Sequence, residues 1–192
     1  MRNGNVRKLV ESAVMIALAF VLSLVRIWRM PLGGSVTLLS MLPILLIAVK
    51  NGPAWGFGTA FCYSLTQLAT SGVFGWGLTP VMLVGSMLLD YILAYTVLGS
   101  IALFKKSTAG ILFGTVVACA LRFVIHFLSG VILWTNFEEF VVFGKTWVGR
   151  PALYSICYNG AFMLPELLFT VFGMAIFVTV KPIRKLIGLT NG

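Results

Sequence analysis

Six long apolar runs, joined by short polar or basic connectors, are the feature that most constrains how this chain can fold. Only 10% of its 192 residues are charged, whereas soluble domains carry about a quarter. An apolar helix of about 20 residues spans a bilayer. The sequence therefore predicts an all-α integral membrane protein, a single domain over residues 1–192, with six transmembrane helices at 7–27, 36–49, 54–70, 78–104, 107–134 and 151–180.

The basic residues fall mainly at one side of this predicted arrangement. Cytoplasmic loops are enriched in Lys and Arg, and placing both termini inside puts nine basic residues inside and four outside, with Arg122 within a helix. The net charge of +9 thus reflects membrane orientation, and no nucleic-acid partner is predicted. The inner set is Arg2, Arg7, Lys8, Lys50, Lys105, Lys106, Lys181, Arg184 and Lys185; the outer set is Arg26, Arg29, Lys145 and Arg150.

Five polar side chains inside the predicted helices are candidates for function, because such groups are costly in hydrocarbon. Arg122 and His126 are four residues apart and so share a helix face. Tyr154 and Tyr158 have the same spacing, and an asparagine follows them. These polar and aromatic residues of the stretch 122–160 suit a pocket for a small, polar, aromatic molecule. The five intramembrane polar residues are Asp90, Arg122, His126, Asn159 and Glu166.

Structural roles for the same residues stay open. Asp90 or Glu166 could simply neutralise Arg122 and join two helices, and His126 could be a packing residue. On the functional side, aromatic faces combined with one carboxylate bind organic cations, and Tyr91 adjoins Asp90. Enzyme motifs such as HExxH, GxSxG and the P-loop are absent from the sequence, so neither an enzyme nor a metal site or cofactor is predicted.

Two further segments, the connector after the first helix and an alanine pattern within that helix, each have two possible roles. The connector at 26–35 contains Pro31 and two glycines, which favour a turn and permit a movable lid. Ala13 and Ala17 form a small-xxx-small pattern in the first helix, which serves either docking of a partner helix or internal packing. Pro43, inside the second predicted helix, indicates a kink.

Several strings resemble one family, the thiamine-specific substrate-binding subunits (S components) of energy-coupling factor vitamin transporters. The resemblance extends over almost the whole chain. The pair HFxSG and YSxxYNG in the last two helices is specific in combination. The strings are ESAVMIALAF, MPLGGSVTL, MLPI, LLDY, RFVIHFLSGVILW and LYSICYNG.

The resemblance implies a six-helix subunit that binds thiamine near the outer face of a bacterial plasma membrane. It also implies delivery to a transmembrane coupling subunit, contacted through Ala13 and Ala17, and to two cytoplasmic ATPase subunits. The ligand-binding residues implied are Gly34, Ser35, Asp90, Tyr91, His126, Trp134, Tyr154 and Asn159.

Two positions depart from the pattern of some family members. Asp90 stands where some have glutamate, which shortens the reach of the carboxylate. The first loop has Gly33-Gly34-Ser35 where some have an aromatic residue, a role that Trp28, Phe74 or Trp76 could take. The alternatives are a related ligand, such as a pyrimidine precursor of thiamine, or a small membrane enzyme or scaffold.

Overall fold

The computed structural model describes residues 2–30, 33–134, 141–142, 145–146 and 149–189, and it is mostly helical. Seven helices occur in these residues, and two short antiparallel ladders accompany them. The helices are α1 (Arg2–Leu24), α2 (Leu42–Asn51), α3 (Pro53–Ala69), α4 (Pro80–Leu103), α5 (Thr108–Ile132), α6 (Pro151–Thr179) and α7 (Lys181–Ile187). The strands are β1 (Arg26–Arg29), β2 (Ser35–Thr37), β3 (Val141–Val142) and β4 (Lys145–Thr146).

The connector after α1 is a β-hairpin, so the all-α prediction is wrong at this place. Trp28 pairs with Val36, and Arg29 pairs with Ser35. Isoleucine, tryptophan, valine and threonine in the two strands favour extended backbone, and Gly33 adopts φ +92°, a conformation that glycine allows without strain. Pro31, which was predicted to favour a turn here, lies outside the described residues. Short strands therefore replace the predicted start of the second helix.

The helix α2 forms the centre of the core. Its residues from Leu42 to Val49 are all buried, as expected for a helix that is apolar on every face. Pro43 lies in the first turn and does not kink the helix, because the N–H that proline lacks has no helical partner at that position. With ten residues, α2 is only about 15 Å long, so it cannot cross a bilayer by itself.

The helix α4 changes its winding along its length. It begins as α-helix, becomes a π-helix at Met87–Leu93, and ends as a 3₁₀-helix at Val97–Leu103. The wide π segment carries Asp90 at its centre. In the tight segment, the backbone of Gly99 packs directly on α3, where an added Cβ would lie 2.6 Å from the backbone nitrogen of Phe57.

Much of the apolar surface faces outward. Among the described residues, α4, α5 and α6 are long and apolar enough to cross a membrane. Large side chains on them are exposed, including Val81 at 79%, Leu168 at 68% and Phe172 at 67%. A continuous apolar exterior of this kind is suited to lipid. The short helix α7, which was not predicted, follows α6 and packs back onto α2.

We predict that Gly99→Ala destabilises the protein by about 1–3 kcal/mol, the usual cost of overpacking a tight contact. Gly58→Ala is the matched control, because an added Cβ at Gly58 meets no atom within 4 Å. Thermal unfolding in detergent measures both variants. An unfolding temperature for Gly99→Ala equal to that of the control would contradict the close approach of α3 and α4.

Candidate ligand-binding site

One cavity brings together all eight residues that were predicted to bind a ligand. Counted with its open mouth, it encloses about 690 Å³. The hairpin, the α3–α4 connection and helices α4, α5 and α6 form its walls. Its lining residues are Gly33, Gly34, Ser35, Trp76, Ser86, Asp90, Tyr91, Tyr95, Arg122, His126, Gly130, Trp134, Tyr154, Tyr158, Asn159 and Phe162.

The carboxylate of Asp90 is the anionic group of the cavity and accepts from two helices. Ser86, one turn earlier, donates to Oδ2 at 2.8 Å. The indole Nε1 of Trp134 donates to the same oxygen at 3.2 Å, and Nδ1 of His126 lies 3.4 Å from Oδ1. The Asp90 side chain remains 18% exposed, so these contacts fix its orientation while the group still reaches the cavity.

Asn159 lies where α6 packs most closely on α5. Its amide nitrogen is 3.2 Å from the carbonyl oxygen of His126 and 3.0 Å from that of Ser155. The Ser155 hydroxyl in turn donates to the Phe127 carbonyl oxygen at 2.8 Å. Gly130 makes this approach possible, because an added Cβ there would collide with the Ser155 side chain. The donors of Asn159 are used within the protein, so its amide oxygen is the group it can offer a ligand.

Aromatic rings form most of the remaining wall. Trp76 and Trp134 meet edge to face with their centroids 5.9 Å apart. Tyr154 stacks on Tyr158 at 5.7 Å, and Phe162 places its edge on Tyr158 at 5.8 Å. Such a wall suits a flat or cationic ring.

Of the three candidates for the missing first-loop aromatic, only Trp76 lines the cavity. Its ring lies against Gly33, where an added Cβ would be 3.2 Å from Trp76 Cη2. Trp28 and Phe74 are instead 43% and 59% exposed. Trp76 is therefore the candidate that lies next to the hairpin, where some family members have an aromatic residue in the first loop.

Sequence analysis did not select several lining residues as binding residues. Tyr158 and Phe162 continue the spacing of four that begins at Tyr154, so a helical face counted along α6 would have found both. Ser86 had a comparable signal, four residues before Asp90. Tyr95, which also lines the cavity, had the same signal, since it lies four residues after Tyr91.

Arg122 forms no ion pair with a carboxylate among the described residues, so the alternative in which Asp90 or Glu166 pairs with it directly is not found. Its guanidinium carbon lies 4.2 Å from the ring centroid of Tyr95, and Nη1 donates to the Met41 sulfur at 3.0 Å. The ring face provides electrostatic stabilisation instead. Both carboxylates are already held by other donors.

Ala13 and Ala17 lie outside this cavity, on the exposed face of α1. Internal packing therefore does not explain the small-xxx-small pattern. Large apolar neighbours on the same face, Val14 and Leu18, are also exposed.

Comparison with known proteins gives a family match and structural matches. Residues 9–186 match the family described as "Thiamine transporter protein (Thia_YuaJ)". The solved structure of ThiT from Listeria monocytogenes serovar aligns with a TM-score of 0.73 at 22% identity, and the alignment covers 96% of this chain and 98% of that chain. At this identity, the structural likeness shows a shared fold. No curated protein matches the chain.

We predict that Tyr158→Phe loosens the hairpin. The Gly34 amide donates to the Tyr158 hydroxyl at 3.1 Å, and loss of one such bond should speed amide exchange over the hairpin by roughly fivefold. Hydrogen–deuterium exchange with mass spectrometry measures the exchange rate of the hairpin peptide. Tyr154→Phe, which removes a hydroxyl from the neighbouring ring, should change this peptide less. Equal protection of the hairpin in wild type and Tyr158→Phe would contradict the prediction.

Proposed function

The chain belongs to the thiamine transporter protein family, and from that premise we propose that it is the membrane subunit that captures thiamine in this cavity. It is a transporter and not an enzyme. The observation that carries the proposal is the Asp90 carboxylate, held by His126 and Trp134 within a largely aromatic cavity. A cationic aromatic ligand needs this combination of one negative charge and ring faces.

The two halves of thiamine suit different parts of the wall. The thiazolium carries a permanent positive charge, which Asp90 and the neighbouring His126 ring can stabilise. The aminopyrimidine is flat and polar, and it suits stacking on Trp134 with hydrogen bonds to Asn159 and Tyr154. Tyr91 and the hairpin residues Gly34 and Ser35 complete the proposed binding set.

We place the cavity at the outer face, in a six-pass arrangement with both termini in the cytoplasm. At the end opposite the hairpin, Lys50 pairs with Glu11 at 2.7 Å, and Lys106 donates to the Lys50 carbonyl oxygen at 3.0 Å. Basic residues from two connections thus meet at one end, together with the start of α1, as the positive-inside rule requires of a cytoplasmic side. In this arrangement β2 and α2 together make the second pass, because α2 alone is too short.

Uptake against a gradient would require partners. The sequence contains no P-loop for ATP, so we propose a transmembrane coupling subunit and two cytoplasmic ATPase subunits of the energy-coupling factor type. The exposed alanines of α1 are the proposed docking site, since close helix approach in lipid depends on small side chains. The membrane is then the plasma membrane of a bacterium, and 1–192 acts as one domain.

We predict that Asp90→Asn weakens thiamine binding by roughly tenfold or more, because hydrogen bonds to charged groups contribute about 1.5–3 kcal/mol. Isothermal titration of the purified protein measures the dissociation constant. Glu11→Gln is the matched control, since it removes a carboxylate that pairs with Arg7 and Lys50 far from the cavity.

An unchanged dissociation constant in Asp90→Asn would assign this carboxylate to structure. The same titration with the isolated pyrimidine half of thiamine tests the related-ligand alternative. Tighter binding of the pyrimidine half than of thiamine would make a precursor the ligand.

We also predict that Ala13→Trp or Ala17→Trp leaves thiamine binding intact and abolishes uptake with the coupling partners. The bulky ring would keep a partner helix away from α1 without reaching the cavity. Leu168→Trp, on a 68% exposed position of α6, is the control and should support uptake. Loss of binding together with uptake would place the alanines in the subunit's own packing, and retention of both would exclude docking on this face.

A further inference from the structure

Glu166 is a buried carboxylate that takes no part in the binding set. It lies on α6 and is 2% exposed. Its Oε2 accepts from the backbone nitrogen of Thr37, and its Oε1 accepts from the Thr37 hydroxyl, both at 2.6 Å. Among the described residues it forms no ion pair. A buried charge of this kind is costly unless it is well hydrogen-bonded. Here both carboxylate oxygens accept hydrogen bonds from the same residue, Thr37.

The residue that Glu166 holds is the last of strand β2. Two positions earlier in the same strand, Ser35 lines the ligand cavity, and Gly34 precedes it. The Thr37 hydroxyl also lies 2.6 Å from the hydroxyl of Ser40, which extends the contact toward the start of α2. Glu166 therefore fixes the base of the hairpin to α6, while its tip forms a wall of the cavity.

Gly34, which precedes strand β2, is packed closely against the same helix. An added Cβ on Gly34 would lie 2.9 Å from the Tyr158 hydroxyl and 2.9 Å from Phe162 Cδ1. Such contacts between aromatic rings and backbone depend on the strand keeping its distance from α6. The double hydrogen bond at Thr37 and the bond from the Gly34 amide to the Tyr158 hydroxyl are the polar contacts that set this distance.

We propose that Glu166 is a positioning residue, which holds the hairpin against α6 and thereby controls how fast the ligand leaves the cavity. This inference rests on the proposed capture of thiamine. It predicts that loss of the carboxylate acts mainly on dissociation, since the hairpin must separate from α6 to open this wall.

The test is Glu166→Met, which keeps an unbranched side chain of similar length and removes both acceptors. Stopped-flow fluorescence of the purified protein should show thiamine dissociation faster by about tenfold or more, as expected when two hydrogen bonds to a charged acceptor are lost. The association rate should change by less than about threefold, a difference smaller than one such bond produces. A purely structural role would lower the unfolding temperature without this separation of rates.

Glu166→Gln is the rescuing variant. Its amide oxygen can accept from the Thr37 N–H, and its NH₂ can donate to the Thr37 hydroxyl when that group donates to Ser40. Dissociation should therefore stay within about threefold of wild type, since the bonds to Thr37 are kept. Thr170→Val is the matched control, since it removes a buried hydroxyl that, within the described part of the chain, bonds the Glu166 backbone carbonyl of the same helix.

The proposal is overturned if Glu166→Met dissociates at the wild-type rate, if Thr170→Val is equally fast, or if Glu166→Gln behaves like Glu166→Met. A second measurement needs no ligand. Trp76 packs on Gly33 of the hairpin, so the acrylamide quenching attributable to Trp76, obtained by subtraction with Trp76→Phe, should rise in Glu166→Met. Unchanged quenching overturns the positioning role, whereas failure of the wild-type protein to bind thiamine overturns only the proposed function.

Discussion

The carboxylate of Asp90 imposes the constraint around which the cavity is organised. A charged group at this depth must have donors, and it takes them from Ser86 on its own helix and from His126 and Trp134 on α5. These contacts join α4 to α5 and hold two ring systems in the wall. The backbone carbonyl of the same histidine accepts from Asn159 of α6. The carboxylate thus joins α4 to α5, and backbone carbonyls of α5 accept from Ser155 and Asn159 of α6.

The helical part of the fold was largely predictable, because long apolar runs leave the backbone few alternatives in lipid. Bounds for α3, α5 and α6 differ from those predicted by at most two residues. The hairpin was not predictable in the same way. Its strands are four and three residues long, too short for a periodic signal, and tertiary hydrogen bonds from α6 stabilise them. Hydropathy alone also assigned residues 36–41 to the second helix.

In the candidate site, too, some residues could be predicted from the sequence and others could not. His126 and Asn159 could be chosen from sequence because a polar group within an apolar run is conspicuous. Trp76 could be named only as one of three aromatic candidates, since the choice depends on which connector folds over the cavity. The role of Glu166 was beyond sequence analysis, because the donors it satisfies lie 129 residues away in the chain. Local sequence patterns thus identify candidate functional side chains, and tertiary packing determines which of these side chains come into contact.

The π-helical stretch of α4 has a consequence for how this family can vary. A π segment accommodates an extra residue in a helix without ending it, and each residue of an α-helix turns the chain by about 100°. Deletion of one residue between Met87 and Leu93 would let ordinary winding return. Because tighter winding offsets the lost residue, the turns on either side would keep nearly their present orientation. The residues within the segment, Asp90 among them, would instead shift against α5. Homologues that lose this residue would need to rebuild the donors of the carboxylate, so the length of this segment is tied to the identity of the acid it presents.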